Sequence, residues 1–317
     1  MAKLMLILLE LNMIRSALSA SNLSWMSFYD FDPNNQHGWS YGVSSSIYDI
    51  QQAYNKYRMQ SMFHLPDVGG NISDCSTSKY YPIFYRSPTA GVCPKWSSNL
   101  NYWISQIEPF IDNKTINGYF IGDELCCHGL NYTYFKSIVT SIRESIGNKP
   151  IIMANECVGT FNSNHNYKWT EIPDGLNYIS ADYYDMGNGT NEYIFIKNLY
   201  QKYIFPLLKT AENNKYGFDQ KCVFVPGVFA CNSSINEMNI NSENIIITLN
   251  DMFEWGKSED RIAGFNPWHF DNRSNNAGPS KFVPQGCMTG VDTLAPGAIS
   301  MPNVVQKLKE IGQYILG

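Results

Sequence analysis

The sequence predicts an α/β fold, a single (β/α)8 barrel. Apolar runs of strand length alternate with amphipathic stretches of helix length at least six times, with no break in composition between them. No such run is followed by a Gly-x-Gly-x-x-Gly turn or a Gly-x-x-x-x-Gly-Lys loop, so the doubly wound nucleotide-binding sheet, the other way to build parallel strands, is the weaker reading. At 317 residues the chain suits one such domain, since α/β barrels run to ~250 residues or more.

The elements follow in order. Residues 24–30 (Ser-Trp-Met-Ser-Phe-Tyr-Asp) read as a strand, and the Pro-Asn-Asn-Gln-His-Gly run after them as a loop. A helix is expected over 44–58, with Ile47, Ile50, Tyr54 and Tyr57 on one face, and a strand over 59–65. Residues 68–96 are loop-like, and a loop of that length is expected to be functional or tied down. A helix over 97–111 leads to the strand 117–124, an apolar run that stops at two adjacent carboxylates. Then come a helix over 131–146, a strand over 150–156, a strand over 176–185, and a helix over 191–213 interrupted at Pro206. The strand 222–230 contains Pro226-Gly227, which marks its end or a bulge. A helix over 242–255, a strand over 262–271 and a helix over 303–316 finish the chain. Seven strands are thus readable, and the eighth is either 4–11 or 80–85.

Composition narrows the function. The formal net charge is −5 and charged residues are 16% of the chain, which leaves no electrostatic reason to bind nucleic acid. Lys3 followed by an apolar run and small residues resembles a secretory signal, although Glu10, Asn12 and Arg15 interrupt it; residues 1–20 are read as a signal or a first strand, and 21–317 as the barrel. No other run approaches the ~20 apolar residues of a membrane span. Eight cysteines and seven Asn-x-Ser/Thr triplets (at Asn22, Asn71, Asn113, Asn131, Asn188, Asn232 and Asn272) suit a secreted or lumenal, disulfide-bonded glycoprotein. Cys75 and Cys93 could close the long loop. Cys126 and Cys127 are each expected to pair elsewhere, with Cys157 as a candidate partner. No Cys/His cluster has zinc spacing, so neither a metal nor a cofactor is expected.

In a barrel the carboxyl ends of the strands converge on one face. The ends here supply Asp30, His64, Asp67, Asp123, Glu124, Glu156, Asp182, Asp185, Trp268, His269 and Asp271. Hydrolysis of a glycosidic bond uses such an inventory: one carboxylic acid protonates the leaving oxygen, a second carboxylate stabilises or attacks the cationic sugar, and aromatic rings bind sugar faces. No Gly-x-Ser-x-Gly elbow and no Cys beside a His points to another hydrolase chemistry. Because side chains alternate along a strand, only one of Asp123 and Glu124 is expected to face the mouth, and Glu124 is the choice.

Gly118-Tyr-Phe-Ile-Gly-Asp-Glu124, Pro150-Ile-Ile-Met-Ala-Asn-Glu156, Asp182-Tyr-Tyr-Asp185 and Gly264-Phe-Asn-Pro-Trp-His-Phe-Asp271 together resemble the fourth, fifth, sixth and eighth strands of (β/α)8-barrel glycoside hydrolases. The resemblance is to the superfamily over residues 115–275, and it implies cleavage of O-glycosidic bonds in an oligo- or polysaccharide, with Glu124 as general acid/base. Gly-Asp-Glu-Leu also partly resembles the Asp-Glu pair of β-hexosaminidases, in which the aspartate orients a substrate acetamido group. If residues 117–124 were instead the third strand, Asn155-Glu156 would resemble the Asn-Glu of the large clan of retaining barrel enzymes, and Glu156 would be the acid/base. That clan also needs a glutamate ending the seventh strand, and under neither count is one present.

The candidate catalytic residues are therefore Glu124, Glu156 and Asp123. The candidate sugar ligands are Asp182, Tyr184, Trp268, His269, Asp271, Asp30 and His64. Against each stands a plainer role: a capping or loop carboxylate for Glu124, a salt bridge at a strand end for Glu156, core packing for Trp268, satisfied hydrogen bonding for His64 and His269. The rival from another class is a carbohydrate-binding or structural barrel without catalysis, motivated by the missing seventh-strand glutamate.

Overall fold

The computed structural model describes residues 23–28, 41–58, 60–162, 168–182, 190–227, 231–233, 238–240, 242–267 and 301–316. Eight strands form its main sheet: β1 (Trp25–Phe28), β2 (Tyr41–Ser44), β3 (Gln60–His64), β4 (Ile116–Asp123), β5 (Ile151–Cys157), β6 (Tyr178–Asp182), β7 (Lys221–Phe224) and β8 (Ile262–Phe265). Every pairing in it is parallel and joins chain neighbours, from β2·β3 through β7·β8, and β1 pairs with both β2 and β8. The α/β class and the curled parallel sheet match the sequence expectation.

Helices α1 (Ile47–Tyr57), α2 (Trp96–Asp112), α3 (Tyr132–Ile146), α4 (Thr190–Leu199), α5 (Ser242–Ser258) and α6 (Pro302–Leu316) lie between or after the strands. In α3 the apolar positions recur at helical spacing, so Phe135, Ile138, Val139, Ile142 and Ile146 are all buried. Asn131 Oδ1 caps its start by accepting from the Thr133 N–H at 2.8 Å, and Gly147 at φ +65° ends it. Burying one such aliphatic side chain contributes roughly 1.5–3 kcal/mol before chain entropy is set against it. α4 continues as a π-helical turn at Tyr200–Ile204 and stops in the 3-10 turn Phe205–Leu207, where Pro206 can donate no backbone hydrogen bond.

Two apolar layers result. Met62, Phe120, Met153, Val223 and Ala263 pack together on the inner face of the sheet. A larger cluster, including Phe63, Tyr119, Ile121, Ile152 and Ala154, fills the space between the sheet and the helices. The residue pairs Met62/Phe63, Phe120/Ile121 and Met153/Ala154 show the period of two that assigns each side chain to one layer. At Gly118 the neighbouring strand approaches so closely that a Cβ would lie 1.8 Å from the Ile151 carbonyl oxygen, and only glycine fits.

The strand count departs from the sequence reading in one place. Tyr41–Ser44 is a strand, although its four residues sit between a turn-rich run and a helix and are too few to show a period. Phe84–Tyr85 instead joins Asp67–Val68 and Gly91–Val92 in a separate three-stranded sheet, and residues 4–11 lie outside the described ones. The long loop is tied down as expected, by the Cys75–Cys93 disulfide.

Candidate active site

The carboxyl ends of β3, β4, β5 and β6 present one continuous set of polar side chains. Its centre depends on a local irregularity in β4. Phe120 pairs with Met153 and Asp123 with Asn155, so three residues of β4 run beside two of β5. Without that bulge the alternation from Phe120 would turn Asp123 outward. With it, Asp123 lines up with Asn155 on the face that carries Phe120 and Met153. Asn155 Nδ2 donates to Asp123 Oδ1 at 2.8 Å, and Ser180 Oγ donates to Asn155 Oδ1 at 2.7 Å. A hydrogen-bonded row thus crosses β4, β5 and β6. Burial, and then the charge of Glu124, push the Asp123 carboxyl above the ordinary carboxylate range, while the Asn155 donor pulls the other way.

Glu124 begins the turn that leaves β4. Its backbone has φ +52°, a left-handed conformation rare for a residue with a Cβ, and its N–H donates to the Asn155 carbonyl at 2.8 Å. The side chain is 25% exposed, and its Oε2 lies 3.2 Å from His128 Nε2, one helical turn along the chain. That bond raises the pKa of His128 above the ordinary imidazole value, against the opposing effect of partial burial. Alternation favours Glu124 over Asp123 for the mouth; the bulge instead puts Asp123 on the inner face, and Glu124 follows in the turn, where strand alternation no longer applies.

Glu156 lies elsewhere. One position beyond Asn155, it points to the layer between sheet and helices, with 1% of its surface exposed. Its two oxygens accept from the Cys126 and Cys127 N–H groups at 3.0 Å each and from Thr160 Oγ1 at 3.1 Å. Burial pushes its pKa up to about 7 against the pull of those three donors. The expectation that Glu156 shares the mouth with Glu124 does not hold in this geometry; it is bonded to the turn that carries Glu124. The Cys127–Cys157 disulfide fastens the same turn to the end of β5, whereas Cys126, expected to pair, is a buried free thiol. A carboxylate oxygen of Glu124 and the two disulfide sulfurs lie within 4.8 Å of one another, but sulfurs bonded to each other offer no thiolate to a metal.

Asp182 ends β6 at 8% exposure, two residues beyond Ser180 and so on the same inner face. His64 ends β3 on the face of Met62, its ring edge-on to Phe120 at 5.3 Å and its Nε2 buried with no hydrogen-bond partner among the described residues. Burial lowers its pKa to about 4, with Asp67 opposing and Arg86 assisting, so the imidazole is neutral. Arg86, which the sequence reading did not single out, joins this group from the long loop. Its Nε donates to Asp67 Oδ2 at 2.6 Å, and its NH1 nitrogen to the Asp123 carbonyl at 2.9 Å. A lone arginine inside a 29-residue loop-like stretch carries no periodic signal. Asp30, Tyr184, Trp268, His269 and Asp271 lie outside the described residues.

Solved structures with a similar fold include a β-D-glucuronidase from Dictyoglomus thermophilum (TM-score 0.51, 14% identity, covering 87% of this chain and 45% of that one). Others are a GH113 β-1,4-mannanase (TM-score 0.47, 13%, covering 92% and 98%) and a glycoside hydrolase family 5 mannosidase from Rhizomucor miehei (0.46, 11%, covering 85% and 75%). The chain spans less than half the length of the glucuronidase it matches. No protein-family model and no curated protein matches the sequence. The resemblance to barrel glycoside hydrolases is one of fold, an α/β parallel sheet, with no single family assigned.

Proposed function

We propose that this protein is a glycoside hydrolase built on a closed (β/α)8 barrel, cleaving O-glycosidic bonds of an oligo- or polysaccharide with Glu124 as general acid/base. The observation that carries the reading is the placement of Glu124. It directly follows a buried parallel strand, is held in a left-handed turn, leaves its carboxyl partly open, and stands next to a second carboxylate on the inner face. The barrel reading rests on β1 pairing with both β2 and β8, and the glycosidase neighbours support it through the fold.

In this scheme the Glu124 carboxylic acid passes its proton to the glycosidic oxygen as the bond from that oxygen to the anomeric carbon breaks. The resulting carboxylate then takes a proton from the incoming water. Asp123, fixed by Asn155, places negative charge beside the cationic centre, and Asp182 and the neutral His64 bind sugar hydroxyls. Glu156 acts through the turn, whose N–H groups it holds. β7 is followed by Val225-Pro226-Gly227, so among the described residues no carboxyl group ends that strand to act as a nucleophile. This favours a second reading, the carbohydrate-binding barrel without catalysis. The disulfides suit an extracellular or lumenal compartment, and among the described residues no helix is long and apolar enough to cross a membrane.

The test is hydrolysis of a panel of aryl glycosides and soluble polysaccharides. Glu124→Gln should lower kcat about 10²–10⁴-fold on whichever substrate the wild type cleaves, with an unchanged melting temperature. Full activity in that variant removes Glu124 from the chemistry. A wild type that cleaves nothing while binding a glycan favours the non-catalytic barrel.

A further inference from the structure

The long loop and α2 border a cavity of about 240 Å³, lined by Cys75, Ser76, Ser78, Tyr81, Cys93 and Lys95 together with neighbouring prolines and Asn99, none of them a residue of the strand-end site. One wall is an aromatic ring held in an unusual way. Tyr81 has φ +47°, yet it is 49% exposed, so nothing in the core needs a side chain there. The left-handed conformation is maintained from α2: Trp103 Nε1 donates to the Tyr81 carbonyl at 3.0 Å, and Asn99 Nδ2 to the Pro82 carbonyl at 2.7 Å. Tyr102 packs against one side of the ring, with centroids 4.3 Å apart and planes 31° apart. Tyr81 keeps its 49% exposure with that contact made.

We infer that this cavity is a second carbohydrate-binding site, which holds a sugar unit of a polysaccharide against Tyr81 while the strand-end site acts elsewhere on the chain. A tyrosine ring supplies an apolar face for sugar C–H groups and a hydroxyl for polar contact. Around it stand groups suited to sugar hydroxyls. Ser78 Oγ accepts from the Tyr80 N–H at 3.2 Å and keeps its own proton to donate, and the exposed Lys95 ammonium offers three more donors. The volume is below the ~300–1,000 Å³ of pockets that enclose drug-sized ligands, which suits a single sugar unit. The Cys75–Cys93 disulfide borders the cavity and fixes its shape before a ligand arrives. The kind of ligand rests on the carbohydrate reading given above. The site itself does not need Glu124.

The experiment is affinity electrophoresis of the full chain in native gels cast with hydroxyethylcellulose, galactomannan, xylan or soluble starch, against gels without polysaccharide. The Glu124→Gln background prevents digestion of the gel. At least one polysaccharide should retard both the wild type and Glu124→Gln. Tyr81→Gly, which suits the left-handed backbone, should lose the retardation while keeping its melting temperature and its rate on a small aryl glycoside, and Tyr81→Phe should keep it. Migration unaffected by all four polysaccharides, or equal retardation of Tyr81→Gly and wild type, overturns the inference. So does retardation that disappears in Glu124→Gln alone, since binding would then belong to the strand-end site. Failure of the hydrolase reading shows separately, as unchanged hydrolysis in Glu124→Gln.

Discussion

Asp123 and Asn155 face each other across β4 and β5 at 2.8 Å only because β4 carries one more residue than β5 between Phe120 and Asp123. The bulge turns a carboxylate that simple alternation would send to the helix layer onto the inner face. Ser180 then holds Asn155 in its amide orientation, with the oxygen toward the hydroxyl and the nitrogen toward Asp123.

Asn155→Ala should therefore raise the Asp123 pKa further, since it removes the donor that opposes burial and the Glu124 charge. Carboxyl-carbon NMR titration of the two proteins reads the shift directly. A lower Asp123 pKa in the variant would contradict the role given to Asn155.

Glu124 at φ +52° holds conformational strain of order 1 kcal/mol or more at the position proposed for chemistry. Glu124→Gly should melt no lower than wild type, and about 1 kcal/mol of added stability is the expected scale, although the His128 contact is lost. Thermal unfolding checks it. A large fall in melting temperature would show that the Glu124 side chain supports the fold.

Glu156 is the structural acid of the pair. Glu156→Gln presents an amide N–H₂ to donors that need an acceptor, and each unsatisfied group costs about 1–3 kcal/mol. Urea unfolding should show that loss, with a fall in kcat because the freed turn carries Glu124. An unchanged midpoint would mean that the turn is held without Glu156, by the Cys127–Cys157 disulfide and the Glu124 N–H bond to the Asn155 carbonyl.

His64 sets a pH dependence. Its folded pKa, about 4, lies below the ordinary value of 6.5, so the unfolded chain binds the proton more readily. The contribution is fully present above pH 6.5 and is lost as pH falls toward 4. The drop in unfolding free energy between pH 7 and 5 should be smaller in His64→Gln than in wild type. Equal drops would assign the acid sensitivity to other groups.

The sequence by itself determined the α/β class and most of the elements, because helix and strand periods are local properties that eleven or so consecutive residues can display. It also placed Asp123, Glu124, Asp182 and His64 at strand ends, and it offered Cys75 and Cys93 as a pair able to close the long loop, although only the structure fixes the connectivity. Tertiary structure decided which of those side chains meet. Asn155 and Glu156 are adjacent in sequence, yet one bonds Asp123 and the other the Cys126–Cys127 turn, since a strand sends neighbours to opposite layers. The β4 bulge, the left-handed turn at Glu124 and the reach of Arg86 from the long loop leave no periodic mark. Each arises from how two separate segments pack, and the chemistry proposed here depends on that packing.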